Sequence, residues 1–251
     1  IGGGVIVMII GILVAPAVLH MMNTPAEIFK QSYDYTKYYF YGAVPCLIYN
    51  IGAGILRAIG DSKRPLYFLI VACFSNIVLD YFFVVILDMG VIGAAIATDI
   101  AQVISAVLVV VYLMKAKEKS YQLFLNKLIV DFRLLKNIIR IGVPIGIQAI
   151  MYTVSNMIIQ TYINGFGTNT IAAWTAYGRV DFLFWMIVNA MGISVTTFAG
   201  QNYGAGKLER LKQGNITGLK MTAIFAIILS AVYLIFAYPL LLLFTGDEKV
   251  L

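Results

Sequence analysis

The sequence predicts an all-α integral membrane protein, a polytopic helical bundle with seven spans. Three observations carry that prediction. Hydrophobic residues make up 61% of the 251 residues and charged residues only 12%, whereas a soluble domain carries roughly 25% charge. A chain with mean hydropathy of +0.89 cannot cover its surface with polar groups in water. Apolar runs of roughly 20 residues recur along the whole length, and about 20 residues of helix cross a ~30 Å hydrocarbon core. The runs lack the alternation of barrel strands, so helices are the solution that satisfies every backbone group in lipid.

The first span is predicted over 1–22, with Pro16 as a kink. The second covers 33–56 and carries Pro45. The third covers 66–87, opened by Pro65 at a helix start, where proline is tolerated. The fourth covers 91–114, and the fifth 140–164, with Pro144 in its first turn. The sixth covers 170–198 and the seventh 216–244. The chain begins at Ile1 inside an apolar stretch, with no Met and no basic flank. The first run therefore reads as neither a signal peptide nor a natural start, and the expectation is a fragment whose first helices are missing.

Charge in the loops sets the orientation. Of the 18 Lys and Arg, only Lys30, Lys37 and Lys249 fall on one side. Arg179 lies inside a span, and all the rest fall on the other side. The positive-inside rule makes the richer side cytoplasmic. The net charge of +6 is therefore a topology signal and does not point to nucleic acid. The outer connections at 23–27, 88–90, 164–169 and 245–248 are short and polar. The inner connection at 115–139 is long and basic, and its part from Leu125 to Lys136 mixes apolar and basic residues at helical spacing, as an amphipathic surface helix does. The predicted organisation is four amino-lobe spans over 1–114, a cytoplasmic amphipathic interlobe linker over 115–139, and three carboxyl-lobe spans over 140–251. The first and seventh spans share orientation and a proline near the outer end, Pro16 and Pro239, a weak repeat that suits a transporter built from two like-oriented halves.

Cys46 and Cys73 both lie in apolar runs and read as packing residues. Gly200–Lys207 is glycine-rich but lacks the phosphate-loop pattern, since Gln201 and Leu208 stand where Gly and Ser or Thr are needed. No other nucleotide motif is present, so an ion gradient or another subunit must supply energy. His20 sits near the outer end of its span and reads as interfacial.

Ionisable groups at membrane depth are costly and are functional candidates by default. Asp80 lies in the third span, with Asn76 one turn earlier on the same face. Thr98 on the returning fourth span reaches a similar depth, and Gln102 follows it by one turn. Two neighbouring helices can thus present Asn76, Asp80, Thr98 and Gln102 to one point in the outer half of the bilayer. A carboxylate with amide and hydroxyl oxygens suits a small hard cation. Burial also favours the neutral carboxyl, so the same set could carry a proton. The bland alternative is an interhelical hydrogen-bond cluster that only packs. Asp99 points roughly 100° from Thr98, toward a partner helix or an outer vestibule. Arg179 and Asp181 are two apart and do not share a face; with Gln148, Asn156, Gln160 and Asn189 they are further polar candidates in the second lobe. Tyr33, Tyr35, Tyr38, Tyr39 and Tyr41 crowd the outer end of the second span, as an interfacial belt or as an aromatic lining for organic cations.

Arg57–Pro65 resembles the Arg–Gly-Asp–Pro loop of the multidrug and toxic compound extrusion (MATE) family. Asn76–Asp80, Gly93–Thr98, Gly142–Pro144 and Gly200–Gly206 are similar to further motifs of that family, in family order along nearly the whole chain. The resemblance implies a two-lobe, twelve-helix transporter of the cell membrane, of which this chain holds the third through ninth helices. It implies export of small, cationic, amphiphilic compounds against Na⁺ or H⁺ influx, with no further cofactor and with the remainder of its own chain and membrane lipid as partners. In the DNA-damage-inducible-like branch the amino-lobe cation site falls on Asn76, Asp80 and Thr98. Tyr35, Asn50, Gln102, Gln148, Asn156, Arg179 and Asp181 are carried as a possible substrate path. Another branch has a Glu eight residues after the helix-seven proline, where this chain has Tyr152. The rival readings are a lipid-linked saccharide flippase of the same superfamily, which predicts a basic cavity, and a membrane-embedded enzyme, which needs a metal set or paired catalytic carboxylates.

Overall fold

The computed structural model describes residues 2–21, 24, 26–116, 119 and 121–242. The expected acidic outer turn at 245–248, Lys249, Lys117, Asn23 and Pro25 lie outside these residues. Among the described residues seven helices are long and apolar enough to cross a membrane, and the chain is a multi-pass membrane protein.

The described residues fall into two compact units, divided between Lys127 and Leu128. The first unit holds α1 (Gly2–Met21), α2 (Ala26–Tyr41), α3 (Ala43–Ala58), α4 (Lys63–Asp80) and α5 (Gly90–Lys115). Helices α2 and α3 form one span, broken at Gly42. Pro45 is the local cause, because it has no N–H to give the carbonyl four residues earlier. The span starts seven residues before the expected 33, since the Tyr-rich segment is itself helical. A π-helical segment, Tyr81–Ile86, follows Asp80 without a gap and extends α4 to the turn before α5. There Asp88 adopts φ 50°.

Helix α5 is the centre of this unit and packs against α2, α3 and α4. Its small residues explain why: Gly93, Ala95, Ala97, Ala101, Ser105 and Ala106 are all buried, and small side chains let helix backbones approach closely in lipid. The core joins Tyr49, Ala53 and Leu56 of α3 to Ala106, Val109 and Leu113 of α5. Tyr49 Oη donates to the Pro65 carbonyl at 2.9 Å and ties α3 to the start of α4.

The second unit holds α6 (Phe132–Asn164), α7 (Thr168–Gly204), α8 (Leu208–Ile235) and α9 (Ala237–Leu242). The amphipathic helix expected over 125–136 does not form as one element. A 3₁₀ turn, Leu125–Lys127, is followed by residues without regular secondary structure, and α6 starts at Phe132. Asp131 sets that start, because its Oδ1 accepts from the backbone N–H of Arg133 at 2.8 Å and of Leu134 at 3.2 Å. Such a cap satisfies two of the orphan donors at a helix N-terminus. Helices α7 and α8 meet through Gly214 and Gly218, where a Cβ would collide with Phe198 and Val195.

Candidate functional site

Asn76 and Asp80 occupy successive turns at the C-terminal end of α4, a helix that packs against α5. Both are half-buried. Asn76 Nδ2 and Asp80 Oδ1 are shut off from solvent and have no hydrogen-bond partner among the described residues. Unpaired polar atoms at such depth are unusual in a native fold and call for an explanation. Thr98 lies on α5, half-buried, with its hydroxyl donating to the Ala94 carbonyl at 3.0 Å. That bond uses the Thr98 proton and leaves the oxygen lone pairs able to accept or to ligate. Asp80 is also the last α-helical residue before the π-helical segment, and such insertions are frequent at functional sites.

Gln102 departs from expectation. Its Oε1 is buried, with no hydrogen-bond partner among the described residues, and lies with Asp99 Oδ1 against Gly42. A Cβ on Gly42 would overlap Asp99 Oδ1 and come within 3.2 Å of Gln102 Oε1. Gln102 therefore faces the break between α2 and α3. Helix geometry gives the reason, since position 102 is only about 60° around the axis from position 99. Asp99 thus faces a partner helix, one of the two orientations expected for it. Sequence reasoning named both residues but did not pair them, because periodicity within α5 does not tell which neighbour each of its faces meets. The signal that could have found it is the Gly42-x-x-Pro45 break opposite a buried carboxylate.

The remaining candidates disperse. Asn50 Nδ2 donates to the Cys46 carbonyl of its own helix at 2.9 Å. The Tyr35 ring stacks on Tyr39, with centroids 6.2 Å apart. Asn156 is exposed on α6. Arg179 is exposed on α7, and no ion pair joins it to Asp181 among the described residues.

Gln148 and Asp181 are brought together. They line an open groove of about 620 Å³ between α6 and α7, with Tyr152, Phe182, Trp185 and Asn189. The Tyr152 and Trp185 rings meet edge to face at 6.1 Å.

The sequence matches the MatE family model over residues 1–82 and 144–251. The chain is 31% identical over 99% of its length to the probable multidrug resistance protein YoeA of Bacillus subtilis, covering 55% of that protein. It is 27% identical over 87% of its length to a FAD transporter of Shewanella oneidensis, covering 49% of it. A solved structure described as the outward-facing conformation of a multidrug resistance MATE family transporter of the MOP superfamily is 25% identical. It superimposes with a TM-score of 0.87 over 98% of this chain and 55% of that one. The chain thus spans about half the length of the relatives it matches. With the predicted motifs, the helical architecture and the family match in agreement, the chain belongs to the MatE family.

Proposed function

We propose that the protein is a secondary active exporter that works by alternating access. Na⁺ or H⁺ entering at Asn76, Asp80 and Thr98 drives small cationic amphiphiles outward. The observation that carries this reading is the buried carboxylate oxygen Asp80 Oδ1, which has no hydrogen-bond partner among the described residues. A carboxylate oxygen held in low dielectric without a donor is stabilised by a positive ion. The relatives named for multidrug resistance support the export direction.

The ion must bind the inward-open and outward-open states unequally, or its gradient drives nothing. A site at a helix–helix contact meets that requirement, because sliding of α4 on α5 changes which oxygens surround Asp80. Transport of an anionic cargo such as FAD, which one relative's name gives as its cargo, or a saccharide flippase calls for basic groups at depth. Here Arg179 is the one Lys or Arg that the sequence places in the interior of a predicted span.

The deciding experiment is ethidium efflux from cells expressing the full-length protein, wild type against Asp80→Asn. The substitution keeps shape and removes charge, so expression is retained while gradient-dependent export falls at least tenfold, about 1.4 kcal/mol of lost ion coupling. Export equal to wild type removes Asp80 from the mechanism. Sodium-free medium and a protonophore, applied separately, identify the coupling ion.

A further inference from the structure

The span formed by α2 and α3 is broken at its middle. Gly42 is the midpoint of Ala26–Ala58, and Gln102 lies at the midpoint of α5, which packs against both pieces. The break therefore meets α5 at mid-depth. Pro45 has no N–H, so the Tyr41 carbonyl loses the helical donor four residues on. Two further oxygens face the same place. Asp99 Oδ1 and Gln102 Oε1 are buried and have no hydrogen-bond partner among the described residues. Both approach one point above the Gly42 backbone, Gln102 Oε1 to within 3.2 Å of where a Cβ would stand and Asp99 Oδ1 closer still. The Gly42 N–H lies beside the Asp99 carboxylate, yet one neutral donor does not balance a full charge held out of water. No ion pair reaches Asp99 among the described residues. Thr98 is its neighbour on α5 but faces about 100° away, so this oxygen set is distinct from the one at Asn76 and Asp80.

We propose that Asp99, Gln102 and the α2–α3 break form a further inorganic cation site, which holds one Na⁺. Acceptor oxygens that converge on one spot repel each other, and in a dry interior a cation among them removes that cost. Carboxylate, amide and carbonyl oxygens are the ligands of hard cations. A single carboxylate balances a single positive charge, which selects a monovalent ion over Ca²⁺ or Mg²⁺. Helices broken at mid-membrane supply such ions with backbone carbonyls, and Tyr41 has one to give. Gly42 lets the carboxylate close on the break, because a side chain there would occupy the position of Oδ1. The site goes beyond the export reading: with Asp80 it lets two ions enter in one cycle, and its occupancy is measured without transport.

Equilibrium dialysis of the purified full-length protein in detergent against radioactive Na⁺, with choline chloride holding the ionic strength, tests the assignment. Asp80→Asn protein is expected to keep one bound Na⁺, and protein carrying both Asp80→Asn and Asp99→Asn to keep none. In the Asp80→Asn background, Gln102→Leu should weaken the remaining ion roughly three- to tenfold, the scale of one ligand oxygen. Gly42→Ala should weaken it at least about fivefold, because the methyl group pushes Asp99 off the break. Loss of all Na⁺ binding in Asp80→Asn alone overturns the assignment, as does an ion that Asp99→Asn leaves in place. Wild-type protein that binds no Na⁺ overturns it too, and leaves Asp99 paired with Gln102 through a proton or a turned-over amide. Should Asp99→Asn misfold, Gly42→Ala decides, and unchanged Na⁺ affinity in it removes the site. The two readings fail separately. Intact export by Asp80→Asn protein that holds the Asp99-dependent ion removes Asp80 from the mechanism and leaves this site standing. Lost export by Asp80→Asn protein that holds no ion leaves the export reading standing and removes this site.

Discussion

The Asp99 carboxylate rests directly on the backbone of Gly42, so close that a methyl group there would overlap Oδ1. Gly42 is the residue at which the span Ala26–Ala58 changes from α2 to α3. Gly42→Ala must therefore push Asp99 aside. A carboxylate can swing, so the cost is modest, about 1 kcal/mol. Asp99→Ala removes the obstacle, and the two substitutions should couple by at least ~0.5 kcal/mol in a double-mutant cycle of thermal stability in detergent. Additive effects would mean that the contact carries no energy.

A harder collision is expected at Gly52. Its Cβ would lie 2.6 Å and 2.9 Å from the two methyl groups of Val109, a fully buried side chain whose rotamer is fixed by its branching. Gly52→Ala should destabilise the first unit by about 1–3 kcal/mol, and adding Val109→Ala should recover part of that loss. Melting temperatures of the three variants check the prediction.

Thr98 offers an oxygen, and its own proton is already given to Ala94. Thr98→Ser keeps that oxygen and should export at a rate close to wild type. Thr98→Val keeps the volume and loses the oxygen; it should raise the ion concentration needed for half-maximal export roughly three- to tenfold, about 1 kcal/mol of ligation. Equal ion dependence in the two variants would take Thr98 out of the site.

Asp131 holds the start of α6 through two backbone N–H groups. Asp131→Ala should cost about 1 kcal/mol locally. Hydrogen exchange should rise at Arg133 and Leu134 while the middle of α6 is unaffected. Unchanged exchange at these amides would show that the cap is not what starts the helix.

The helical class and the order of spans were legible because lipid leaves the backbone few choices and because loop charge reports orientation. Asn76, Asp80 and Thr98 were legible as candidates because a carboxylate in an apolar run has no bland surface explanation. Helix ends were less legible. The sequence marks where apolar residues stop, yet α6 begins eight residues before its predicted start, on a capping aspartate that hydropathy ignores. The facing of Asp99 and Gln102 onto Gly42 was hidden for another reason. It depends on which neighbour each face of α5 meets, and periodicity within one helix does not encode that. Gln148 and Asp181 come from different helices, and only packing reveals that they share a groove.

Asp80 stands at the seam between two helical pitches, α on its inner side and π over Tyr81–Ile86 on its outer side. The wider turn of the π segment stores surplus backbone that an α-helix of the same height would not hold. Moving one residue of that surplus inward past Asp80 would turn its carboxylate by about 100° around the axis. The helix need not lengthen, shorten or lose its footing in the bilayer for the acid to change the neighbour it addresses.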